Sequence, residues 1–243
     1  MTRISVVIPT RGRPHYLKEA IASVLAQTHA PYEIIVVDDG EGALEAVGHM
    51  HPSVAVLDNH RRGPVAARNM GVTHASGDCI AFLDDDDWFI DEGYFAETKR
   101  AFEQGAGFCY ADGVMAFEDG RPRLPFAFHA DATTLTHDNT ILISGVVYRR
   151  SLHRELGMFD ESLPYYWDWD WYLRVARAGH ELTHIQRPVV AIRVHRQNMS
   201  GESLEAQRRA NLDKFSTKHA LPPIALKNHL DIATDAPGKP PQP

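Results

Sequence analysis

Cysteine is scarce, with 2 among 243 residues. Cys79 and Cys109 both sit inside apolar segments of the kind that become buried strands, so they read as core residues in a reducing compartment rather than as nucleophiles or metal ligands. Basic charge is also in short supply: 25 Lys and Arg against 32 Asp and Glu give a formal charge of -7. Phosphate-backbone binding needs clustered cations, so no nucleic-acid partner is expected. No apolar run approaches the roughly 20 residues of a membrane span. The amino terminus enters a β-branched run directly, without a basic, then apolar, then small-residue leader pattern. No membrane span is therefore predicted, and the expected location is cytoplasmic. Internal repeats are absent. What remains, 44% hydrophobic and 23% charged, is an ordinary globular composition, long enough to bury a core without disulfide staples.

The first part of the chain alternates short β-branched runs with amphipathic stretches. Ile4–Ile8 reads as a strand, and Pro14–Gln27 as a helix whose Leu17, Ala20, Ile21, Val24 and Leu25 recur at helical spacing. Glu33–Val37 and Ser53–Leu57 are strands, Val65–His74 a helix and Cys79–Leu83 a strand. This order predicts an α/β fold with a Rossmann-like, mostly parallel central sheet flanked by helices. Beyond residue 90 the pattern gives a helix over Glu92–Gln104, a strand over Gly107–Ala111 and a hairpin-like region over Val114–Phe128. Ile141–Tyr148 reads as a strand, Trp169–Ala178 as a helix and Val189–Val194 as a last strand. A surface helix is predicted over Glu202–Lys218, and the Pro-rich residues 236–243 read as disordered.

In open parallel sheets, ligands bind at the carboxyl ends of the strands. Those positions here hold Pro9, Thr10 and Arg11, then Asp38 and Asp39, then Asp58 and Asn59, then the run Asp84, Asp85, Asp86, Asp87. A single Asp there serves as a cap or a turn. Four together repel, and something cationic must offset them. On an extended chain Asp84 and Asp86 would share a face. Paired hard oxygens suit Mg²⁺ or Mn²⁺, which are usually held by one or two carboxylates together with substrate phosphates.

Three stretches carry a resemblance when taken in order: Val6-Val7-Ile8-Pro9-Thr10-Arg11, Ile35-Val36-Val37-Asp38-Asp39-Gly40, and Gly63 to Gly71 continuing through Ile80 to Asp87. Together they resemble glycosyltransferase family 2, inverting enzymes of the GT-A fold. The likeness runs from about residue 3 to about residue 200. It implies a glycosyltransferase domain over 1–200, with a nucleotide-binding half over about 1–112 and a smaller acceptor-binding half over about 113–200. A helical extension follows over 201–235. The donor implied is a UDP-, GDP- or dTDP-sugar, the acceptor bears a hydroxyl, and the cofactor is Mn²⁺ or Mg²⁺.

Residue by residue, the resemblance puts Pro9, Thr10 and Arg11 in the loop bordering the nucleotide, Asp39 at the base and Arg68 beside the diphosphate. Asp84 falls near the ribose with Asp85 beside it, and Asp86 on the metal. His195, within Val194-His195-Arg196-Gln197-Asn198-Met199-Ser200, matches a residue that reaches the metal or diphosphate. Ser144 and Gly145 resemble an acceptor-side loop. The segment Trp167-Asp168-Trp169-Asp170 resembles the one that carries the acceptor-activating base, with Trp167 where a Glu is more usual. Asp168 aligns with the base. Asp170 is the alternative, or pairs with Arg174 at i,i+4 as a structural element. Trp167 and Trp169 are candidates for sugar contact, whereas Trp171 and Tyr172 read as core.

Such a set would carry out a direct displacement. One carboxylate takes the acceptor proton, and a metal stabilises the leaving diphosphate. Competing readings fit less well. A sugar-phosphate nucleotidylyltransferase would want a Gly-rich loop after the first strand, where Thr10 to Pro14 offers only Gly12. An aspartyl phosphatase would want its acid pair there, followed by Gly-Thr. A non-catalytic nucleotide-sugar or glycan-binding module is the remaining alternative.

Overall fold

Residues 2–195 and 204–235 are described in the computed structural model of the chain. The amino-terminal half consists of β1 (Ile4–Thr10), α1 (Pro14–Leu25), β2 (Glu33–Asp38), α2 (Ala43–Val47), β3 (Val54–Asp58), α3 (Pro64–His74) and β4 (Cys79–Phe82). Then follow β5 (Trp88–Phe89), α4 (Tyr94–Glu103), β6 (Phe108–Phe117), β7 (Leu124–Phe126), β8 (Val146–Arg149) and α5 (Leu152–Leu156). The chain continues through α6 (Trp167–Arg177), β9 (Leu182–Val194), α7 (Glu205–Lys218) and α8 (His229–Asp235). Residues 196–200, including Gln197, Asn198, Met199 and Ser200, and the tail 236–243 lie outside the described residues.

The described strands form one sheet in the order β3-β2-β1-β4-β8-β6-β9-β5, with β7 paired to β6. The amino-terminal four are all parallel. β8 then enters antiparallel to both β4 and β6, and β9 runs parallel to β6. Alternate residues of β1 feed opposite sides: Val7 joins one buried cluster, and Ile4, Val6 and Ile8 the other. With both faces covered, these strands must be continuously apolar, which is why their sequence shows no alternation.

One face is covered by α3, α6 and α7. A Cβ at Gly71 of α3 would run into Val7, so the glycine lets this helix lie close on the sheet. The other face is covered by α1 and α4. Pro14 opens α1 at a position where its missing N–H leaves nothing unpaired. Cys79 and Cys109 are free and fully buried. Burial pushes both thiols up to about 12, so they are packing groups.

Several elements differ from the sequence reading. The run Ile141–Tyr148 is not one strand: a 3-10 turn at Ile143–Gly145 precedes β8. β9 begins at Leu182, and its pairing with β6 slips where Ala111 faces Ile185 but Asp112 faces Pro188. A proline without an N–H marks that bulge. α6 starts at Trp167 rather than Trp169. α7 is no mere surface helix, because Leu212 and Phe215 are buried and Phe215 lies 4.7 Å from Trp169 between ring centres. β5, α2, α5 and α8 were not expected. Each has between 2 and 7 residues, too short for a periodicity to register.

Candidate active site

A cavity of about 630 Å³ opens along the carboxyl ends of β1, β2 and β4 and runs to the start of α6. Pro9, Thr10, Arg11, Asp39, Arg68, Asp84, Asp85, Asp86, Trp167, Asp168 and Trp169 all line it. Ser144, Gly145 and His195 do not.

At one end, main-chain bonds lash the strand termini together: Asp39 N donates to Thr10 O at 2.8 Å, and Asn59 N to Asp38 O at 2.8 Å. The two adjacent acids then part company. Asp38 accepts from the Gly40 and Ala43 amides at 2.8 and 2.9 Å, which makes it the brace of α2. Asp39 Oδ1 instead accepts from Asn59 Nδ2 at 2.6 Å and Gly63 N at 2.9 Å, which fixes the carboxylate in the cavity wall. Gly63 has φ of 99°, a conformation favouring glycine. Asn59, fully buried, was missed as a functional residue. Its one sequence signal is its place just after a strand.

The acidic run is a turn, not the end of an extended strand. β4 stops at Phe82, and Asp87 N donates to Asp84 O at 3.0 Å. Convergence of the carboxylates therefore comes from turn geometry rather than from strand alternation. Nor are Asp85 and Asp87 peripheral, since they are 1% and 4% exposed. Asp85 accepts from Thr10 Oγ1 at 2.6 Å and pairs with Arg13 Nη2 at 2.6 Å. Asp86 pairs with Arg13 Nη1 and lies 3.0 Å from His195 Nε2. Arg68 closes on Asp84 and lies 4.4 Å over the Trp167 ring. Asp87 accepts from Ser144 Oγ at 2.5 Å and from Arg193 N at 3.0 Å.

The cations demanded by four adjacent acids are thus Arg13 and Arg68, with His195 alongside. Arg13 was not foreseen, because nothing in a loop residue's spacing shows that it folds back over a distant turn. Burial, ahead of the opposing charge of Arg13, pushes Asp85 up to about 6, and burial together with the neighbouring charges of Asp86 and Asp84 raises Asp87 well above the carboxylate range. Burial also acts on Asp86, but the His195 hydrogen bond and the Arg13 charge outweigh it and hold that acid low. One oxygen each from Asp84, Asp86 and Asp87 lie within 4.8 Å of one another. That all-oxygen donor set fits a hard divalent cation. Asp87 is the member the sequence reading had not singled out.

Ser144 and Gly145 lie outside the cavity lining. Ser144 is fully buried and its hydroxyl is committed, accepting from Asp84 N at 3.1 Å and donating to Asp87. The Gly145 carbonyl accepts from Tyr94 Oη at 2.7 Å, and a Cβ there would press on Ala111 O at 3.2 Å. Ser144 thus braces the acidic turn from beneath, and Gly145 packs behind it against Tyr94 and Ala111.

At the other end, Asp168 stands in the first turn of α6. Asn139 Nδ2 donates to its Oδ2 at 2.9 Å. Burial pushes Asp168 up to about 6, against the Asn139 hydrogen bond. Asp170, two residues on, is fully buried and faces away from the cavity. It binds Arg174 Nε at 2.9 Å, Lys218 Nζ at 2.6 Å and His219 Nε2 at 2.8 Å, tying α6 to the end of α7. Trp169 Nε1 donates to Leu135 O at 2.8 Å. Trp171 stacks on His153 at 4.3 Å and, with Tyr172, is fully buried. Arg208, Lys227, Asn228 and His229 complete this end. They come from the carboxy-terminal extension, whose part in the cavity no motif announced.

A parallel α/β half with acids at its strand ends, continued by a mixed half that supplies a buried carboxylate, defines a glycosyltransferase of the GT-A fold. Solved structures agree on the fold. A mannosyltransferase from Pyrobaculum calidifontis in complex with GDP-Man and Mn²⁺ superposes with a TM-score of 0.69 at 16% identity, covering 96% of this chain and 68% of that one. S. aureus TarS in complex with UDP-GlcNAc gives a TM-score of 0.66 at 20% identity, covering 87% of this chain and 66% of that one. The family model for glycosyl transferase family 2 matches residues 5–157, and the chain belongs to that family. An uncharacterized Bacillus subtilis (strain 168) glycosyltransferase, YwdF, is 37% identical over 240 residues, 93% of this chain and 87% of that protein. A Rickettsia conorii relative, 44% identical over 124 residues, is much longer, and the match spans 20% of its length. The protein is a glycosyltransferase.

Proposed function

We propose that the enzyme transfers a sugar from a UDP-, GDP- or dTDP-sugar to an acceptor hydroxyl in one direct displacement, inverting the anomeric carbon. The observation carrying this reading is that a single cavity joins the acidic turn to Asp168. The nucleotide lies along Pro9, Thr10 and Arg11, with Asp39 toward the base. Arg68 meets the diphosphate, and Asp84 and Asp85 lie on the nucleotide side of the turn. Asp84, Asp86 and Asp87 would hold Mn²⁺ or Mg²⁺, with His195 steadying Asp86. The ion's contribution is to neutralise charge on the diphosphate as it leaves.

Asp168 accepts the acceptor's proton as the hydroxyl attacks. A carboxyl pushed up to about 6 is still ionised near neutrality and is more basic than an ordinary aspartate. Among the described residues the other carboxylates lining the cavity, Asp39, Asp84 to Asp87 and Asp138, are each bonded to a neighbouring side chain, so with Asp168 as the base a single step is the economical chemistry. Trp167 and Trp169 wall the space between the two ends. No helix among the described residues is long and apolar enough to cross a membrane, and the two free thiols suit a reducing, cytoplasmic setting.

The test is turnover of each nucleotide sugar with and without Mn²⁺, with the product's anomeric configuration read by NMR. Inverted product that depends on the ion and disappears in Asp86→Ala is expected. Retained configuration, or turnover indifferent to the ion, would overturn the mechanism.

A further inference from the structure

Asn139 belongs to no motif, yet among the described residues it makes the one side-chain hydrogen bond that the Asp168 carboxylate receives from a neighbouring segment. It sits in the loop between the 3-10 turn at Thr134–Thr136 and the one at Ile143–Gly145, lines the cavity and is 9% exposed. Among the described residues its Oδ1 is buried without a hydrogen-bond partner. A buried, half-satisfied amide is costly, and such exceptions call for a reason. Here the reason is geometric. The amide is turned so that its NH2 meets Asp168, at the expense of its own oxygen.

The carboxy-terminal extension holds this loop in place. Lys227 Nζ lies 3.3 Å from Asp138 Oδ1, on the residue before Asn139. The His229 imidazole hydrogen-bonds the Asn139 main-chain carbonyl, and its ring lies edge-on to Phe126 at 5.2 Å. Arg208 Nη2 of α7 donates to Lys227 O at 2.9 Å, closing the clamp. α7 itself is docked through Phe215 against Trp169, the residue after Asp168. The extension thus grips both the base's helix and the loop that orients the base.

We propose that Asn139 is a positioning residue for Asp168, holding one carboxylate oxygen so that the other faces the acceptor, and that the 204–235 extension sets the position of Asn139. The proposal rests on the reading of Asp168 as the acceptor-side base. The charged and titratable groups that face Asp168 are Arg68 from α3, Tyr166 from the loop ahead of α6 and Tyr172 within α6. Asp138, Lys227 and His229 stand around Asn139. His229, with desolvation pushing it down to about 4, contributes no charge near neutrality. Asn139 is therefore the group whose removal changes Asp168 without altering a charge.

The experiment is a 13C NMR titration of the Asp side-chain carboxyls in the full chain, with the Asp168 resonance assigned through Asp168→Asn. In Asn139→Leu, close in volume and apolar, the Asp168 midpoint rises by about one to two pH units, because a hydrogen bond to the charged form is lost. In Asn139→Asp, nearly isosteric and a safeguard should the leucine variant not fold, two facing carboxyls titrate as a pair whose upper step exceeds the wild-type midpoint. The acid limb of kcat/KM moves in step with these midpoints. His229→Ala moves the midpoint in the same direction by less.

An Asp168 midpoint unmoved in both Asn139 variants would overturn the proposal, leaving Asn139 a loop residue. The titration needs no substrate, so the two readings fail separately. A chain that moves no sugar but shows the shift loses the transfer mechanism alone, and a chain that transfers sugar with an unmoved midpoint loses the positioning role alone.

Discussion

The end of the cavity that we assign to the nucleotide is built largely from strand termini and the turns that follow them: Thr10 at the end of β1, Asp39 after β2, Asn59 after β3 and the acidic turn after β4. Arg68, on α3, closes it. The end that we assign to the acceptor gathers Asn139 from a loop, Asp168 from the first turn of α6, and Arg208 and His229 from α7 and α8. The first end is held by main-chain bonds between neighbouring parallel strands, the second by side chains that meet across long stretches of sequence. The lesson is that the same residue type does opposite work within two positions. Asp168 faces the cavity with one hydrogen-bonded oxygen. Asp170 sits behind it, bonded to Arg174, Lys218 and His219.

That contrast can be broken most directly at Asp168. Asp168→Asn is expected to lower kcat by about 10²- to 10⁴-fold, the usual worth of a general base, while donor-induced thermal stabilisation persists. Its stability moves the other way. The folded carboxyl at about 6 lies above an unfolded value of about 3.9, so ionising it weakens the native state as pH rises between those values. At pH 8 the variant should be more stable by about 1–3 kcal/mol in urea titrations. A variant with wild-type kcat would remove Asp168 from the mechanism.

Asp170→Ala should do the reverse. Loss of about 3–5 kcal/mol is expected from leaving Arg174, Lys218 and His219 without their shared anion, with kcat per folded molecule unchanged. A large fall in kcat at unchanged stability would exchange the roles of the two acids. The Asp170 carboxyl is held below its usual range by its partners despite burial. Its stabilising share is therefore present above the ordinary aspartate value and is lost as pH falls through the lowered one.

The pH profile sharpens the same comparison. kcat/KM should climb with pH through a midpoint of about 6 as Asp168 ionises. Measurement at saturating metal and donor isolates that limb, and a profile flat from about pH 5 to 8 would contradict an acceptor-side base. The smallest expected effect lies at the opposite end. Asn59→Ala removes one anchor of Asp39 and should weaken donor binding by about 1–2 kcal/mol, read by calorimetry, with little change in kcat. A changed kcat at constant donor affinity would mean that Asn59 acts beyond the nucleotide end.

Legibility in the sequence followed the same divide. Thr10, Asp39 and the run Asp84 to Asp87 could be placed because strand ends in a parallel sheet share one edge, so position along the chain gives position in space. Arg13, Asn59 and Asn139 could not, since their partners lie 73, 20 and 29 residues away. Ser144 and Gly145 were assigned to the acceptor side because their segment resembles the family's acceptor-side loop. Which way a side chain turns is decided by packing, and here the Ser144 hydroxyl turns under Asp84 and Asp87.

The sequence alone determined the alternating α/β order, the buried parallel strands and the family, because local periodicity and ordered motifs are properties of the chain read in one dimension. The tertiary structure decided how four adjacent acids are tolerated, which of Asp168 and Asp170 faces the cavity, and that the extension walls it. Those outcomes depend on which distant groups arrive within hydrogen-bonding reach, and the energies of burial and pairing that settle them exist only once the chain has closed on itself.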